Sequence, residues 1–243
     1  MANTFYDPGS QRAARVNDLF DGIASRYDLI NDLQSFGLHR WWKRRLVRLA
    51  NPRAGAPVLD LCCGTGDIAF SLAERGAVVT GLDFSEPMLN CARQKQAGKT
   101  VPASGSPNPK FVQGDAQKIS FPDNSFEIVT IGYGLRNLAS YETGLREMQR
   151  VAKPGGRLLV LDFGKPDNSL WRSIYFAYMG LFVPVLGRVF CGNAAAYAYI
   201  LESLKHYPAQ RGVADKMREI GLKNVRIINF LGGVMSINCG EKA

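Results

Sequence analysis

The chain has 243 residues, 46% of them hydrophobic, enough for one large α/β domain with its own core and too apolar for a disordered chain. Thirty Lys and Arg against 21 Asp and Glu leave a net charge of +9, which suggests an anionic partner, either nucleic acid or a membrane surface. The five cysteines (Cys62, Cys63, Cys91, Cys191 and Cys239) are odd in number and include no C-x-x-C pair, so reduced thiols are expected, without a zinc site or a disulfide framework.

At the start, Met1–Pro8 lacks the charged-then-apolar layout of a secretion signal, and no uncharged apolar run reaches the ~18 residues that cross a bilayer. A cytoplasmic protein is expected. A helical segment then runs from about Gln11 to Ala50, with Val16, Leu19, Phe20 and Ile23 on one stripe. Its last part crowds Arg40, Lys43, Arg44, Arg45 and Arg48 onto a helix whose positions 38, 42, 46 and 49 are apolar. That basic amphipathic helix reads either as a solvated face over the core or as a contact with lipid.

Val58-Leu59-Asp60-Leu61-Cys62-Cys63-Gly64-Thr65-Gly66-Asp67 is more informative. A strand over 57–62 runs into a turn nearly free of side chains and then into a helix over 66–75. Gly64 and Gly66 allow positive φ and close approach of a ligand to the backbone. Amides at the start of such a helix are unpaired and serve a ligand in the crevice above the strand. The next strand, 77–83, ends on Asp83, 23 residues after Asp60, where a βαβ unit sets a carboxylate on ribose hydroxyls. A nucleoside-type cofactor follows. Gly64-x-Gly66-x-x-Ala69 also satisfies the loose dinucleotide pattern, but two acids tilt against a pyrophosphate. Asp60, inside the strand end, suits an ammonium group and would repel a phosphate. Asp67 caps the helix and competes with a phosphate for the same amides. S-adenosylmethionine has an amino acid end, a ribose and an adenine but no phosphate, and fits better.

Helix 86–96, a polar Pro-rich loop at 99–109, strands 110–114 and 126–132, helix 141–152 and strand 156–162 come next. Pro154-Gly155-Gly156 reads as a helix stop and turn before the last strand. Such alternation predicts a parallel sheet wound on both faces. From Leu170 to Phe190 the chain turns aromatic and apolar, broken by Gly180, Pro184 and Gly187, and reads as a hydrophobic lid or else as core helix. Segments 224–230 and 234–239, joined around Gly232-Gly233, read as an antiparallel hairpin. A terminal hairpin on a parallel sheet separates class I methyltransferases from dehydrogenase folds. The expected fold class is therefore α/β: a Rossmann-like, seven-stranded, mostly parallel sheet with a C-terminal antiparallel hairpin and helices on both faces. A single domain is expected, made of a helical cap (1–50), a cofactor core (55–165), a lid (166–212) and a last helix with the hairpin (213–243).

Two longer motifs carry a resemblance. Tyr27-Asp28-Leu29-Ile30-Asn31-Asp32 with Gly37-Leu38-His39-Arg40-Trp41-Trp42-Lys43, and Asp123-Asn124-Ser125-Phe126 through Gly134-Leu135-Arg136-Asn137, resemble the two signatures of the ubiquinone/menaquinone-biosynthesis C-methyltransferase family. Asn193–Tyr197 and the tail Ile237–Lys242 are similar to its cyanobacterial and plastid branch, which methylates 2-phytyl-1,4-naphthoquinol (demethylphylloquinol). The resemblance implies methyl transfer from S-adenosylmethionine to a ring carbon of that prenylated naphthoquinol, the last step of phylloquinone formation. Demethylmenaquinone or a ubiquinone precursor is the alternative substrate.

The family pattern puts cofactor contacts on Thr65, Asp83, Asp115, Ala116 and Gly132, where members often carry serine, while Asp60, Gly64 and Gly66 fall at the amino acid end. Arg136, just beyond the fourth strand at the open carboxyl edge, is the leading catalytic candidate, with Asn137 orienting it. An arginine is no free base at neutral pH, so it would stabilise a developing phenolate or polarise a water. Tyr27 and Tyr133 are candidates for closing over the methyl group, whereas His39 and His206 are expected to be structural or surface residues. Expected partners are a lipophilic prenyl or phytyl quinol and, peripherally, a membrane surface, with a homodimer as the candidate assembly. No nucleic acid is expected. An RNA methyltransferase would share the fold, but the N-P-P-Y base-flipping signature and an appended RNA-binding module are missing. A non-catalytic cofactor-binding module and an NAD-dependent dehydrogenase are the other rivals.

Overall fold

The computed structural model describes residues 12–24, 27–98, 105, 107–185 and 194–243. Seven strands form one sheet: β1 (Pro57–Leu61), β2 (Val78–Asp83), β3 (Lys110–Gln113), β4 (Phe126–Gly132), β5 (Ala152–Phe163), β6 (Lys223–Phe230) and β7 (Met235–Glu241). Their order is β3-β2-β1-β4-β5-β7-β6, parallel through β5, with β7 antiparallel to both β5 and β6. The sequence expectation of a mostly parallel sheet closed by a hairpin is met. Because the winding direction reverses between β1 and β4, the crevice at their carboxyl ends is where such a sheet takes a ligand.

The helices flanking the sheet include α1 (Arg12–Ile23), α2 (Tyr27–Ser35), α3 (Leu38–Ala50), α4 (Asp67–Ala73), α5 (Glu86–Ala97), α6 (Tyr141–Val151), α7 (Ser169–Ala177), α8 (Ala194–His206) and α9 (Ala209–Glu219). Strand alternation sorts the core into two layers. Leu59, Leu61, Val129, Ile131, Leu158 and Val160 pack with α6, α8 and α9 on one face, while Val58, Ile128, Leu159 and Leu161 meet α3 and α4 on the other. Each such fully buried side chain stabilises the fold by about 1.5–3 kcal/mol.

Three expectations are refined. The N-terminal helical segment consists of three helices, and the break before α3 falls at Phe36 and Gly37, both at positive φ (50° and 74°). Strand β5 begins at Ala152 rather than 156: Ala152 pairs with Phe126, and a register shift before Ile128 absorbs Pro154 and Gly155. The aromatic stretch after Leu170 is core and surface at once. Helix α7 continues as a π-turn (Tyr178–Phe182), burying Tyr175, Met179 and Val183 and leaving Leu170, Leu181 and Val185 exposed. Most of the 99–109 loop, Cys191 and the end of the Leu170–Phe190 stretch lie outside the described residues.

Candidate active site

The chain leaves β1 through a turn in which Cys62, Gly64 and Gly66 all have positive φ (50°, 53° and 87°). At Gly66, which directly precedes α4, a Cβ would lie 2.8 Å from the Phe111 ring and 2.9 Å from that of Phe70, so both conformation and space require glycine. Asp83, the last residue of β2, holds this turn. Its Oδ2 accepts from the Gly64 amide at 2.7 Å and its Oδ1 from the Ser85 amide at 2.9 Å. Burial raises its pKa and those amides oppose the rise. A carboxylate oxygen has two acceptor sites, so each keeps one for a vicinal pair of ligand hydroxyls. Ser85 caps α5 through the Met88 amide and donates to Asp21, which ties α1 to the turn.

Above these groups lies a cleft of about 770 Å³, partly open to solvent. Gly64, Asp83, Asp115, Ala116 and Gly132, five of the eight cofactor residues expected from the sequence, line it together with Val16 and Phe20 of α1. Asp115 Oδ1 accepts from the Gln117 amide at 2.8 Å, and Ala116 is buried beside it. A Cβ added at Gly132 would meet the terminal methyl of Ile68, so a serine there requires that side chain to move.

The other three stand behind the lining. Asp60 is buried under the turn, where Oδ1 accepts from Thr130 Oγ1 at 2.6 Å. Burial pushes its carboxyl up to about 7, against the Thr130 bond and Lys43. Gly66 faces the two phenyl rings. Thr65 serves the wall: its hydroxyl donates to Asp28 and accepts from Lys95, each at 2.9 Å. Lys95 also pairs with Asp28 (2.5 Å) and Asp67 (3.2 Å), and Lys43 with Asp67 (2.8 Å), so a charge network links α2, α3, α4 and α5. Burial raises Asp67, but the two lysines outweigh it and hold the carboxyl at about 2. No local pattern marks these partners, which lie 24 to 67 residues apart.

A second cavity of about 880 Å³ adjoins the first, and Phe20, Tyr27 and Tyr133 line both. Its walls are aromatic and apolar, with Trp42, Phe163, Tyr175, Met179, Tyr199 and Ile200. Tyr27 meets Phe20 edge to face at 6.0 Å, and burial raises its phenol pKa. Tyr133 is a non-glycine residue at φ 62°, a strained conformation that the fold imposes at the seam between the cavities.

Arg136 lines the aromatic cavity and Asn137 the cleft. The guanidinium is buried: Nη1 donates to Asp162 Oδ1 at 2.7 Å and to the Tyr133 carbonyl at 2.6 Å, and the group lies 4.7 Å from the centre of the Phe163 ring. Asn137 donates to the same carbonyl at 3.1 Å and accepts from Tyr199 Oη at 3.1 Å. Asp162 and the Tyr133 carbonyl thus aim the arginine, and Asn137 acts on it through the shared carbonyl. Asp162 and Tyr199 were not singled out from the sequence, since each reads there as one more strand or helix residue. His39, expected to be structural or on the surface, is buried in the wall of the aromatic cavity; His206 is exposed beside Glu202. Among the described residues no cluster of His, Cys, Asp or Glu could hold a metal ion, and no helix is long and apolar enough to cross a membrane.

Residues 9–242 match the model of the ubiE/COQ5 methyltransferase family. The chain is 41% identical over 239 residues to the ubiquinone/menaquinone biosynthesis C-methyltransferase UbiE of Azotobacter vinelandii, covering 97% of this chain and 92% of that protein. It is 40% identical over 241 residues to the demethylmenaquinone methyltransferase of Desulfitobacterium hafniense, covering 96% and 92%. A SAM-dependent methyltransferase from Thermotoga maritima superposes with a TM-score of 0.67 at 16% identity, over 94% of this chain and all of that one, a likeness of fold.

Proposed function

The chain belongs to the ubiE/COQ5 methyltransferase family, and from that premise we propose that its methyl acceptor is the reduced ring of a prenylated menaquinone- or ubiquinone-type precursor, bound in the aromatic cavity. The protein is an S-adenosylmethionine-dependent C-methyltransferase. One observation carries the proposal: a polar cleft and an aromatic cavity meet at Phe20, Tyr27 and Tyr133. Two substrates placed in them would face each other across that seam, and alignment supplies much of the rate of an in-line displacement.

S-Adenosylmethionine supplies an electrophilic methyl group on a cationic sulfur. Asp83 would hold the ribose hydroxyls with its remaining lone pairs, Asp115 the adenine amino group, and Asp60 and the Gly64 turn the amino acid end. The apolar walls favour a step in which a cation meets an electron-rich ring and charge is neutralised. Arg136, permanently protonated, donates to a ring oxygen and stabilises negative charge there. It removes no proton.

A phytylated naphthoquinol is the second reading, favoured by the tail Ile237–Lys242; the side chains of Asn193–Tyr197 lie outside the described residues. Peripheral attachment to lipid belongs to the same proposal, because so apolar a substrate resides in a membrane. Transfer of label from S-adenosylmethionine to demethylmenaquinone, a demethylated benzoquinone and 2-phytyl-1,4-naphthoquinone, each chemically reduced and each oxidised, tests it. Label is expected in the reduced menaquinone or ubiquinone precursors and not in the oxidised forms. Label in the phytyl compound alone would move the substrate to the second reading. No label in any quinol, with the cofactor bound, would overturn the proposal.

A further inference from the structure

The aromatic cavity holds more polar groups than the arginine, and several are unpartnered. Trp42 Nε1, Tyr175 Oη, Tyr133 Oη and Gln34 Oε1 are all buried, all on residues that line this cavity, and all without a hydrogen-bond partner among the described residues. Leaving such groups unpaired is costly, so a cavity that collects four of them is built around a ligand that carries its own donors and acceptors. Two of the four residues, Gln34 and Trp42, bracket His39 on the α2–α3 wall.

Hydrogen-bond geometry fixes the tautomer of His39. Ser35 Oγ donates to the Asn31 carbonyl at 2.5 Å, which spends its only proton. The same oxygen lies 3.0 Å from His39 Nδ1, so Nδ1 must be the donor in that contact. Asp32, 3.7 Å from Nδ1, favours the same arrangement. The unprotonated nitrogen is therefore Nε2, which has no hydrogen-bond partner among the described residues. His39 also lines a third, solvent-open groove with Asp28, Arg40, Lys43, Arg44, Asp67 and Lys95. It stands between the substrate cavity and bulk water.

We propose that His39 is the proton acceptor of the reaction, its Nε2 receiving the proton of the quinol hydroxyl next to the methylated carbon. This rests on the quinol reading above. As the ring carbon bonds to the methyl carbon, the C–S bond breaks with its electron pair going to sulfur. The O–H pair becomes the second bond of a carbonyl, and the proton passes to Nε2. The imidazolium then returns its proton to the oxygen, and the freed Nε2 accepts the proton of the methylated carbon as the C–H pair restores the aromatic ring. One proton is released overall, and the groove beside His39 gives it an exit. Burial, with Lys43 and against Asp32 and Asp67, lowers the imidazole pKa to about 4, so the ring is neutral and ready to accept at neutral pH. So weak a base suffices because the hydroxyl becomes strongly acidic only as the ring loses electrons to the methyl group.

With only two histidines in the chain, the full-length protein labelled with ¹⁵N-histidine can be read directly by long-range ¹H–¹⁵N NMR. Saturated with S-adenosylhomocysteine, His39 should show the Nδ1–H tautomer, and 1,4-dihydroxynaphthalene kept reduced should shift its Nε2 while leaving His206 unmoved. An Nε2–H tautomer, or no shift at saturating probe, overturns the proposal. In turnover of a reduced quinol, His39→Gln should lower kcat by about 10²–10⁴-fold with little change in KM or in affinity for S-adenosylhomocysteine. An unchanged kcat overturns it as well. Should that variant not fold, the NMR arm decides alone. Failure of the wild-type protein to methylate any quinol counts against the functional reading, and the tautomer and probe shift still report on His39.

Discussion

Arg136 and Asp162 are buried together, with 6% and 2% of their side chains exposed, and this sets how the arginine can be tested. Removing one partner of a buried pair strands the other, so Arg136→Ala should cost about 3–5 kcal/mol of stability quite apart from catalysis. Arg136→Met combined with Asp162→Asn removes both charges and keeps one of the two acceptor oxygens that now serve the Arg136 and Phe163 amides. Chemical denaturation should place this double variant above Arg136→Ala in stability, while its kcat falls by about 10²–10³-fold. A double variant that methylates at the wild-type rate would remove Arg136 from the mechanism. Asp60 gives a pH-dependent case. Its carboxyl rises from 3.8 to about 7 on folding, so its contribution to stability is complete below about pH 4 and is lost as the pH rises through 7. That displacement corresponds to about 4 kcal/mol. Asp60→Asn should therefore melt above the wild type at pH 8 and match it at pH 4, both measured without cofactor. Equal melting temperatures at both pH values would contradict the burial argument. Asp60, Asp83 and Arg136 were legible in the sequence because a strand end announces them. Asp162, Trp42, Tyr175 and the free face of His39 were not, since their significance is the cavity they share.

At the scale of elements, strand runs and glycine turns were readable because each is a local pattern. The break at Phe36–Gly37 and the bulge at Pro154–Gly155 were less so: each depends on packing that overrides a helix or turn preference. The basic helix α3, left open in the sequence between core and lipid, has one buried and one exposed face. Trp42 and Leu46 are buried, whereas Leu38, Trp41 and Arg40 are exposed. Around it, Tyr178 Oη donates to the Gln34 carbonyl at 3.1 Å, the Trp41 ring meets Phe230 at 5.1 Å, and Trp171 Nε1 donates to the Leu231 carbonyl at 2.9 Å. The α2–α3 corner, the α7 segment and the β6–β7 turn thus join into one rim, on which Phe36, Leu170 and Leu181 are 70–74% exposed. Apolar side chains with arginines beside them suit a lipid surface. Flotation with vesicles containing phosphatidylglycerol should recover the protein at low salt, less at high salt, and less again for Phe36→Ser with Leu181→Ser. A protein that stays at the bottom at low salt would show that the rim does not bind lipid.

For the molecule as a whole, alternating elements and a terminal hairpin sufficed to give the sheet, and the carboxyl ends of β1 and β2 located the cleft in which the cofactor is proposed to bind. The second cavity was invisible in the sequence because α1, α2, α3, α7, α8 and β5 all contribute to it, and no segment shows more than four of its residues. In the proposed function the two substrates face each other where the two spaces meet at Phe20, Tyr27 and Tyr133. The most direct measurement is a crystal structure with S-adenosylhomocysteine and 1,4-dihydroxynaphthalene soaked together under reducing conditions. Expected is the adenosyl group in the cleft beside Asp83 and Asp115, its sulfur at the seam, and the naphthalene ring in the aromatic cavity with an oxygen in hydrogen-bond reach of Arg136. A ring found in the cleft itself, or outside the aromatic cavity altogether, would contradict the two-cavity arrangement and the quinol chemistry built on it.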